Sequence, residues 1–242
     1  ERYDPDFKKV PCFDRAMNST YEDRHQSPEW MKDAIIYQIF PERYYWGDGM
    51  KEPNTWHHGV KYDSFLGGTL QGIFDKLDYI QELGVTLIYL TPVFESVSNH
   101  KYNTKDYMKI DPSFGTNDAF KALVDEIHRR GMRIMLDGVF NHTGDDFFAF
   151  VDVAEKGQDS PFYNWYDVRK FPLTHGRNER PSYETFAYYH RMPKVMHREA
   201  EAAKYFLEVA AYWTQMGIDG WRLDVADEIS CTFWRAFRQT VR

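Results

Sequence analysis

The sequence predicts an α/β fold built on parallel strands, because short apolar strands alternate with amphipathic helices four times along its 242 residues. Hydrophobic residues make up 43% of the chain and charged residues 28%, which is a globular composition and neither a disordered nor a fibrous one. A chain of this length can bury a sizeable core as one large domain or two small ones.

The first two strands are separated by one predicted helix. Residues 34–40 are an apolar run of the length and type found in strands. Thr69 can cap a helix whose apolar residues fall at helical spacing, namely Leu70, Ile73, Leu77 and Ile80. Gly84 ends this helix, and residues 85–90 form the second buried strand.

The next two units repeat this order. Thr116 can cap a helix with four apolar residues on one face: Phe120, Leu123, Val124 and Ile127. Residues 132–136 then form a third strand. A further helix runs from Arg198 to Gly217, residues 218–223 form the fourth strand, and another helix begins near Phe233, Trp234 and Phe237.

The same pattern predicts the domain boundaries. Residues 1–33 are polar and form a lead-in or linker, and residues 34–142 hold strands one to three. Residues 143–197 are too long for an ordinary loop and hold twelve aromatic residues, so we expect an inserted subdomain with its own aromatic core. Some of these rings can also line a cleft and stack on flat apolar ligand faces. Residues 198–242 carry the fourth strand and the helix after it.

Charge and composition exclude several classes of partner. A net charge of −7 and a pI near 5.7 argue against nucleic acid, which is bound through clustered Lys and Arg. No apolar run approaches the length of a membrane span. Cys12 and Cys231 could form at most one disulfide, and nothing in the sequence indicates that they do, so we expect a cytoplasmic, thiol-tolerant location.

The end of the fourth strand carries the first candidate site. Alternation along residues 220–224 places Arg222 and Asp224 on the same face. Burying such a pair is costly unless the charges are paired or used, and Arg222 would keep Asp224 ionised, as a carboxylate nucleophile requires. A structural ion pair at a strand end explains this motif equally well.

The end of the third strand carries a second polar group, formed by Asp137, Asn141 and His142. Folds of this class place ligand contacts just beyond the carboxyl ends of buried strands, and Asp137 could orient the other two side chains. A single histidine is more often structural than functional, but two polar clusters at successive strand ends favour a site.

Residues 137–142 (DGVFNH) and 220–224 (GWRLD) resemble two signature regions of the α-amylase family, glycoside hydrolase family 13. The resemblance extends from residue 34 to the end of the chain. It includes weaker matches in the expected order, at residues 65–73, 99–107 and 110–115. Met192, Pro193 and Lys194 are similar to a marker of the branch that contains neopullulanases, cyclomaltodextrinases and maltogenic amylases.

The resemblance implies a (β/α)8 TIM-type barrel, truncated here to about four βα units, with a small domain inserted after strand three. It implies Asp224 as the nucleophile of a retaining enzyme that cleaves or transfers α-glucan oligosaccharides, with Arg222 holding its charge. His142 would bind the sugar and Tyr102 would stack on it. Asp137 joins these substrate-binding candidates. Asn141 resembles a position that binds structural calcium in many members, so calcium is an optional ligand and no cofactor is required.

One catalytic part is missing from the sequence. A retaining glycosidase needs a proton-donating carboxyl beside the nucleophile, and the resemblance places that residue on a fifth strand. Glu228 is too close to Asp224 in sequence, and Asp219 lies at the other end of the strand. We therefore expect the native polypeptide to continue beyond Arg242 and the 242-residue chain alone to be inactive. A homodimer that pairs open sheet edges is an alternative to that continuation.

Two further readings compete with a glycoside hydrolase. A non-catalytic relative that binds carbohydrate or serves as a scaffold would usually lack the nucleophile or its arginine, and both are present here. A nucleotide-binding α/β domain would carry a glycine-rich phosphate loop after a strand, and none occurs. The sequence also lacks the H-E-x-x-H and G-x-S-x-G motifs of zinc proteases and serine hydrolases.

Overall fold

A computed structural model describes residues 27–53, 59–174 and 180–242. Cys12 and most of the predicted lead-in lie outside these ranges. The described residues form six strands: β1 (Ile36–Ile39), β2 (Leu87–Leu90), β3 (Phe94–Glu95), β4 (Asp106–Ile110), β5 (Arg133–Gly138) and β6 (Gly220–Leu223). Four of them make one parallel sheet in the order β1-β2-β5-β6, and β3 pairs with β4 in an antiparallel hairpin. The predicted parallel α/β fold is confirmed.

The α-helices of the described residues connect these strands. They are α1 (Glu29–Lys32), α2 (Leu70–Asp75), α3 (Leu77–Glu82), α4 (Asn117–Arg129), α5 (Phe148–Lys156), α6 (Ala200–Gln215) and α7 (Cys231–Thr240). The predicted caps are present, because the hydroxyl of Thr69 accepts a hydrogen bond from Gly72 N and that of Thr116 accepts one from Ala119 N. The helix predicted from Leu70 through Ile80 is two helices, since Lys76 N bonds to Ile73 O and tightens the turn there.

The core lies between the parallel sheet and the helices on its outer face. All four residues of β2 are buried, and α4 and α6 contribute fully buried side chains to the same apolar cluster. Two hydrogen-bonding groups in this core join the hairpin to α6 and to the segment after β5. The indole of Trp213 donates to Tyr107 O at 2.7 Å. The hydroxyl of Tyr107 lies 2.8 Å from both Val139 O and His142 O, directly after β5. The core therefore determines where the segment after β5 runs.

The segment from residue 143 to 197 is stabilised mainly by aromatic packing. Besides α5 it contains short 3-10 turns and isolated bridges such as those between Val168 and Tyr183 and between Tyr166 and Val195. Part of its aromatic set is buried, and the rings pack against the main core: Phe147, Phe150, Trp165, Tyr166 and Tyr183. Tyr188 and Tyr189 remain exposed. The division of the chain into domains stays a prediction.

In the part of the chain that the structure describes, no helix is long and apolar enough to cross a membrane.

Candidate active site

The candidate site lies at the carboxyl ends of β2, β5 and β6. In the register between β5 and β6, Asp137 stands directly opposite Arg222. Tyr89 of β2 is paired with Met135, two residues before Asp137. Paired residues of parallel strands, and residues two apart on one strand, point to the same face, so Tyr89, Asp137 and Arg222 share one side of the sheet.

Arg222 joins two carboxylates. Its Nη1 atom lies 2.6 Å from Asp224 Oδ1, and 3.1 and 3.2 Å from the two carboxylate oxygens of Asp137. Asp224 N donates to Gly138 O at 3.1 Å, which extends the ladder one residue beyond β6, and the positive φ of Val225 then turns the chain. Arg222 and Asp224 therefore lie on the same face, as strand alternation predicts.

The electrostatics around Asp137 depend on its burial. Its exposed fraction is 1%, and burial raises the pKa of its carboxyl. A hydrogen bond from the hydroxyl of Tyr89 and the charge of Arg222 oppose that rise. Tyr102 donates to the same oxygen, Oδ2, at 3.0 Å. Asp137 thus orients Arg222 and the two tyrosines, and its hydrogen bonds go to these residues rather than to Asn141 or His142.

Tyr102 is held by a buried ion pair in the loop between β3 and β4. Lys101 precedes it with a φ of 62° and an exposed fraction of 2%, and its Nζ lies 2.8 Å from Asp111 Oδ2 and 3.0 Å from Ser96 O. A positive φ is uncommon outside glycine, and here the ion pair fixes it. Burial and the charge of Asp137 raise the pKa of Tyr102, so its hydroxyl stays a hydrogen-bond donor.

His142 is a buried, neutral imidazole with hydrogen-bonding capacity left for a ligand. Burial lowers the pKa of His142 to about 4. Its ring stacks on that of Phe186, with centroids 4.9 Å apart and planes inclined by 17°. Within the described residues neither ring nitrogen has a partner at full hydrogen-bond geometry, although an interaction with the Tyr102 backbone opposes part of the lowering of the pKa. A buried polar group without a partner is costly, and these two nitrogens can bind a polar ligand.

Calcium binding by Asn141, which the resemblance implies, stays a prediction. Its Oδ1 atom is buried without a hydrogen-bond partner, as a metal ligand would be. Its Nδ2 atom, however, donates to Glu228 Oε2 at 3.3 Å, and Lys194 Nζ lies 3.3 Å from that same oxygen. Calcium takes six to eight oxygen ligands. Around Asn141 the described residues instead supply an ammonium group, and they contain no cluster of three or more His, Cys, Asp or Glu suited to a metal.

The two other acidic residues considered from the sequence are already paired. Asp219, at the amino-terminal end of β6, accepts hydrogen bonds from Arg133 at 2.7 Å and Ile134 N at 2.9 Å, and contacts His128 at 2.8 Å. Glu228 lies on a short 3-10 turn and forms the contacts to Asn141 and Lys194. Neither has a hydrogen bond to Asp224.

Sequence reasoning missed Tyr89 and Phe186 as parts of the site. The run from residue 85 to 90 indicates a buried strand, and the pattern by itself does not set Tyr89 apart from its apolar neighbours. A phenolic hydroxyl inside a buried strand needs a partner. That requirement was the available signal, and the register of β2 and β5 shows that the partner is Asp137. Phe186 follows a loop with no periodicity, and nothing in the sequence links it to His142.

Comparison with known proteins gives a consistent picture. Residues 38–235 match the family model described as alpha amylase, catalytic domain. Neopullulanase 2 of Thermoactinomyces vulgaris is 50% identical over 222 residues, which cover 89% of this chain and 38% of that protein. An intracellular maltogenic amylase of Bacillus subtilis is 47% identical over 224 residues, which cover 90% of this chain and 37% of that protein.

A solved structure is also similar. The ligand-free cyclic alpha-maltosyl-(1→6)-maltose hydrolase of Arthrobacter globiformis matches with a TM-score of 0.84 and 46% identity, over 89% of this chain and 49% of that one. The chain thus spans less than two fifths of the two curated relatives. The truncated barrel that the sequence predicts agrees with this partial coverage. The chain belongs to the α-amylase family, in the branch of neopullulanases and maltogenic amylases, and contains part of its catalytic domain.

Proposed function

We propose that the protein containing this chain cleaves or transfers α-glucosidic linkages by double displacement, with Asp224 as the nucleophile. The observation that supports this most directly is the position of Arg222 Nη1 between Asp137 and Asp224. The guanidinium donates a hydrogen bond to Asp224 Oδ1 at 2.6 Å and so fixes the position of the carboxylate that would attack an anomeric carbon.

The chemistry divides into two steps. In the first, an Asp224 oxygen bonds to C1 of the sugar while the bond from C1 to the leaving oxygen breaks, and a carboxylic acid protonates that oxygen. In the second, water or a sugar hydroxyl attacks C1, the bond to Asp224 breaks, and the same carboxyl, now ionised, takes the proton. Hydrolysis and transfer differ only in this acceptor.

The other site residues bind and orient the substrate in this proposal. His142, being neutral, can donate one hydrogen bond to a sugar hydroxyl and accept another, because neither ring nitrogen has a partner at full hydrogen-bond geometry among the described residues. Tyr102 presents an aromatic face for a sugar ring while its hydroxyl is fixed on Asp137. No step requires a metal ion.

The 242-residue chain by itself should bind glucan weakly and should not turn it over. The acid must stand about 5–5.5 Å from the nucleophile in a retaining enzyme. Asp137 is buried and bonded to Arg222 and two tyrosines, and Glu228 is bonded to Asn141 and Lys194. Neither is placed to protonate a leaving group. A measurable rate with the purified 242-residue chain would contradict this assignment.

The substrate class follows from the relatives and is likewise a proposal. Neopullulanases and maltogenic amylases are named for α-glucans, so maltodextrins, cyclodextrins and pullulan are the substrates to test. The Bacillus subtilis relative is named as intracellular, and we propose a cytoplasmic location on that ground.

The test compares two variants of the product of the complete reading frame. Asp224→Asn should abolish release of reducing sugar from cyclodextrin or maltodextrin, while circular dichroism and the unfolding midpoint change little. Asp219→Asn makes the same chemical change at the opposite end of β6 and is the control, expected to keep its activity. Undiminished turnover by Asp224→Asn would remove Asp224 from the mechanism.

The second candidate, a non-catalytic protein that binds glucan, predicts a different result. Wild-type protein would then bind maltodextrin in calorimetry and release no sugar. The presence of both Asp224 and Arg222, in contact, favours the enzyme.

A further inference from the structure

Tyr89 is the residue at the site that no catalytic or binding role yet explains. It lies on β2, one of the two interior strands of the sheet, with an exposed fraction of 8%, and its hydroxyl donates to Asp137 Oδ2. Its ring is too deep to present a face to a sugar. Burial and the hydrogen bond to Asp137 both raise the pKa of Tyr89, so the hydroxyl remains protonated and is a permanent donor.

Asp137 depends on a small number of neighbours. The groups that face it are Tyr89 from β2, Tyr102 from the loop between β3 and β4, Arg222 from β6, and Asp224 directly after β6. Burial raises the pKa of Asp137, and the Tyr89 hydrogen bond opposes this rise together with the charge and the hydrogen bonds of Arg222. Removing that hydroxyl would leave Oδ2 with Tyr102 and the 3.2 Å contact to Arg222.

The state of Asp137 determines how Arg222 divides its charge. A single atom, Arg222 Nη1, contacts both Asp137 and Asp224. If Asp137 rotates or takes up a proton, its attraction for Nη1 weakens and the guanidinium moves toward Asp224. A carboxylate that is paired more strongly with the guanidinium is a weaker nucleophile, because its oxygen must give up part of that interaction to form the bond to carbon.

We propose that Tyr89 is a positioning residue: its hydroxyl fixes the carboxylate of Asp137, which in turn holds Arg222 between Asp137 and Asp224. This rests on the proposed function, because the consequence of the arrangement is the reactivity of Asp224. Tyr89 acts from one strand away and touches neither the substrate nor Asp224.

The first test uses Tyr89→Phe in the product of the complete reading frame, with Tyr212→Phe as the matched control. Tyr212 is on α6, where its hydroxyl accepts from Asn117 Nδ2 at 3.0 Å, outside the site. For Tyr89→Phe we expect kcat on cyclodextrin to fall roughly tenfold, KM to change by less than about twofold, and the acidic limb of the kcat/KM profile to move to higher pH. An unchanged pH profile with unchanged kcat would overturn the proposal.

The second test does not depend on catalysis. Urea unfolding of the product of the complete reading frame and of its Tyr89→Phe variant, at pH 4 and pH 7, measures the coupling between Tyr89 and Asp137. When a carboxyl has a raised pKa in the folded state, the free energy of unfolding falls as the pH rises through that pKa. Tyr89→Phe removes a hydrogen bond that lowers the pKa of Asp137, so it raises this pKa further. The loss in the free energy of unfolding caused by Tyr89→Phe should therefore be larger at pH 7 than at pH 4.

The two tests separate the possible failures. A pH-independent loss of stability would mean that the hydroxyl contributes only packing, and would refute the positioning role. If the wild-type protein cleaves no glucan while the pH-dependent difference is present, the contact between Tyr89 and Asp137 stands and the proposed function fails.

Discussion

The buried ion pair beneath Tyr102 provides a sharp test of how this site is held together. Lys101 and Asp111 have side-chain exposures of 2% and 6%, and their charged atoms are 2.8 Å apart. The perturbation is Lys101→Met, which keeps the length of the side chain and removes its charge. Methionine tolerates the positive φ at this position no better than lysine does, so backbone strain is the same in both.

The magnitude follows from what remains around Asp111. At 2.8 Å and an effective dielectric constant of about 20, the attraction is about 6 kcal/mol before desolvation is counted. Asp111 keeps hydrogen bonds from Ser96 N at 3.0 Å and from Ser113 N at 2.9 Å, and from the Ser113 hydroxyl at 2.5 Å. Removing one partner of a buried pair usually costs about 3–5 kcal/mol, and we expect a loss in that range at pH 7.

The pH dependence of this loss has a definite sign. For Asp111, burial acts to raise the pKa, but the hydrogen bonds from Lys101, Ser113 and Ser96 outweigh it and lower the pKa below 3.8. A lowered pKa contributes stability that is present above the unfolded value and is lost as pH falls through the folded value. Without Lys101 burial raises the pKa of Asp111, so this carboxyl takes up a proton at a higher pH in the variant than in wild type. The difference in the free energy of unfolding between wild type and variant should therefore shrink as pH falls toward 4.

The assay is urea unfolding of the 242-residue chain at 25 °C, followed by tryptophan fluorescence. Lys105→Met is the control: the side chain of Lys105 is 46% exposed and its Nζ lies 3.2 Å from Glu95 Oε1, and exposed pairs contribute about 0–1 kcal/mol. The double variant Lys101→Met with Asp111→Asn should recover part of the loss, because it removes the uncompensated charge. A loss in the free energy of unfolding below about 1 kcal/mol for Lys101→Met, equal at pH 7 and at pH 4, would refute the reasoning.

Two further predictions concern His142. Tyr107→Phe removes the hydroxyl shared by Val139 O and His142 O and should cost about 1–3 kcal/mol in urea unfolding, with Tyr212→Phe as control; a loss under about 0.5 kcal/mol would show that the two carbonyls find other partners. Phe186→Ala uncovers one face of the His142 ring, so the pKa of His142 should rise from about 4 toward the ordinary value of 6.5. NMR titration of the ring protons measures this pKa, and an unchanged titration would mean that other groups bury the ring.

Much of the fold was accessible from sequence because local signals and packing agree. The hydroxyls of Thr69 and Thr116 stand at the amino-terminal ends of helices, and both cap them. The hairpin of β3 and β4 was not predicted, since β3 has only two residues and shows no alternation. Helix α5 was not predicted, because it is only nine residues long and lies in a segment whose apolar and aromatic residues show no sustained helical spacing.

The site was predictable where two residues share one strand and unpredictable where contacts join separate strands. Alternation along β6 is sufficient to place Arg222 beside Asp224. The role of Asp137 was expected to be the orientation of Asn141 and His142, but the register of three strands brings it to Tyr89 and Arg222 instead. Register is set by packing over the whole sheet, which a single strand's sequence does not contain.

The most direct measurement for the central claim is the identity of the residue that becomes glycosylated. The product of the complete reading frame would be incubated with a fluorinated glucosyl fluoride, which slows the second step, then digested and mapped by mass spectrometry. We predict a single labelled peptide with the sugar on Asp224. A label on any other carboxyl, or turnover of the reagent with Asp224 unmodified and no trapped intermediate, would contradict the account.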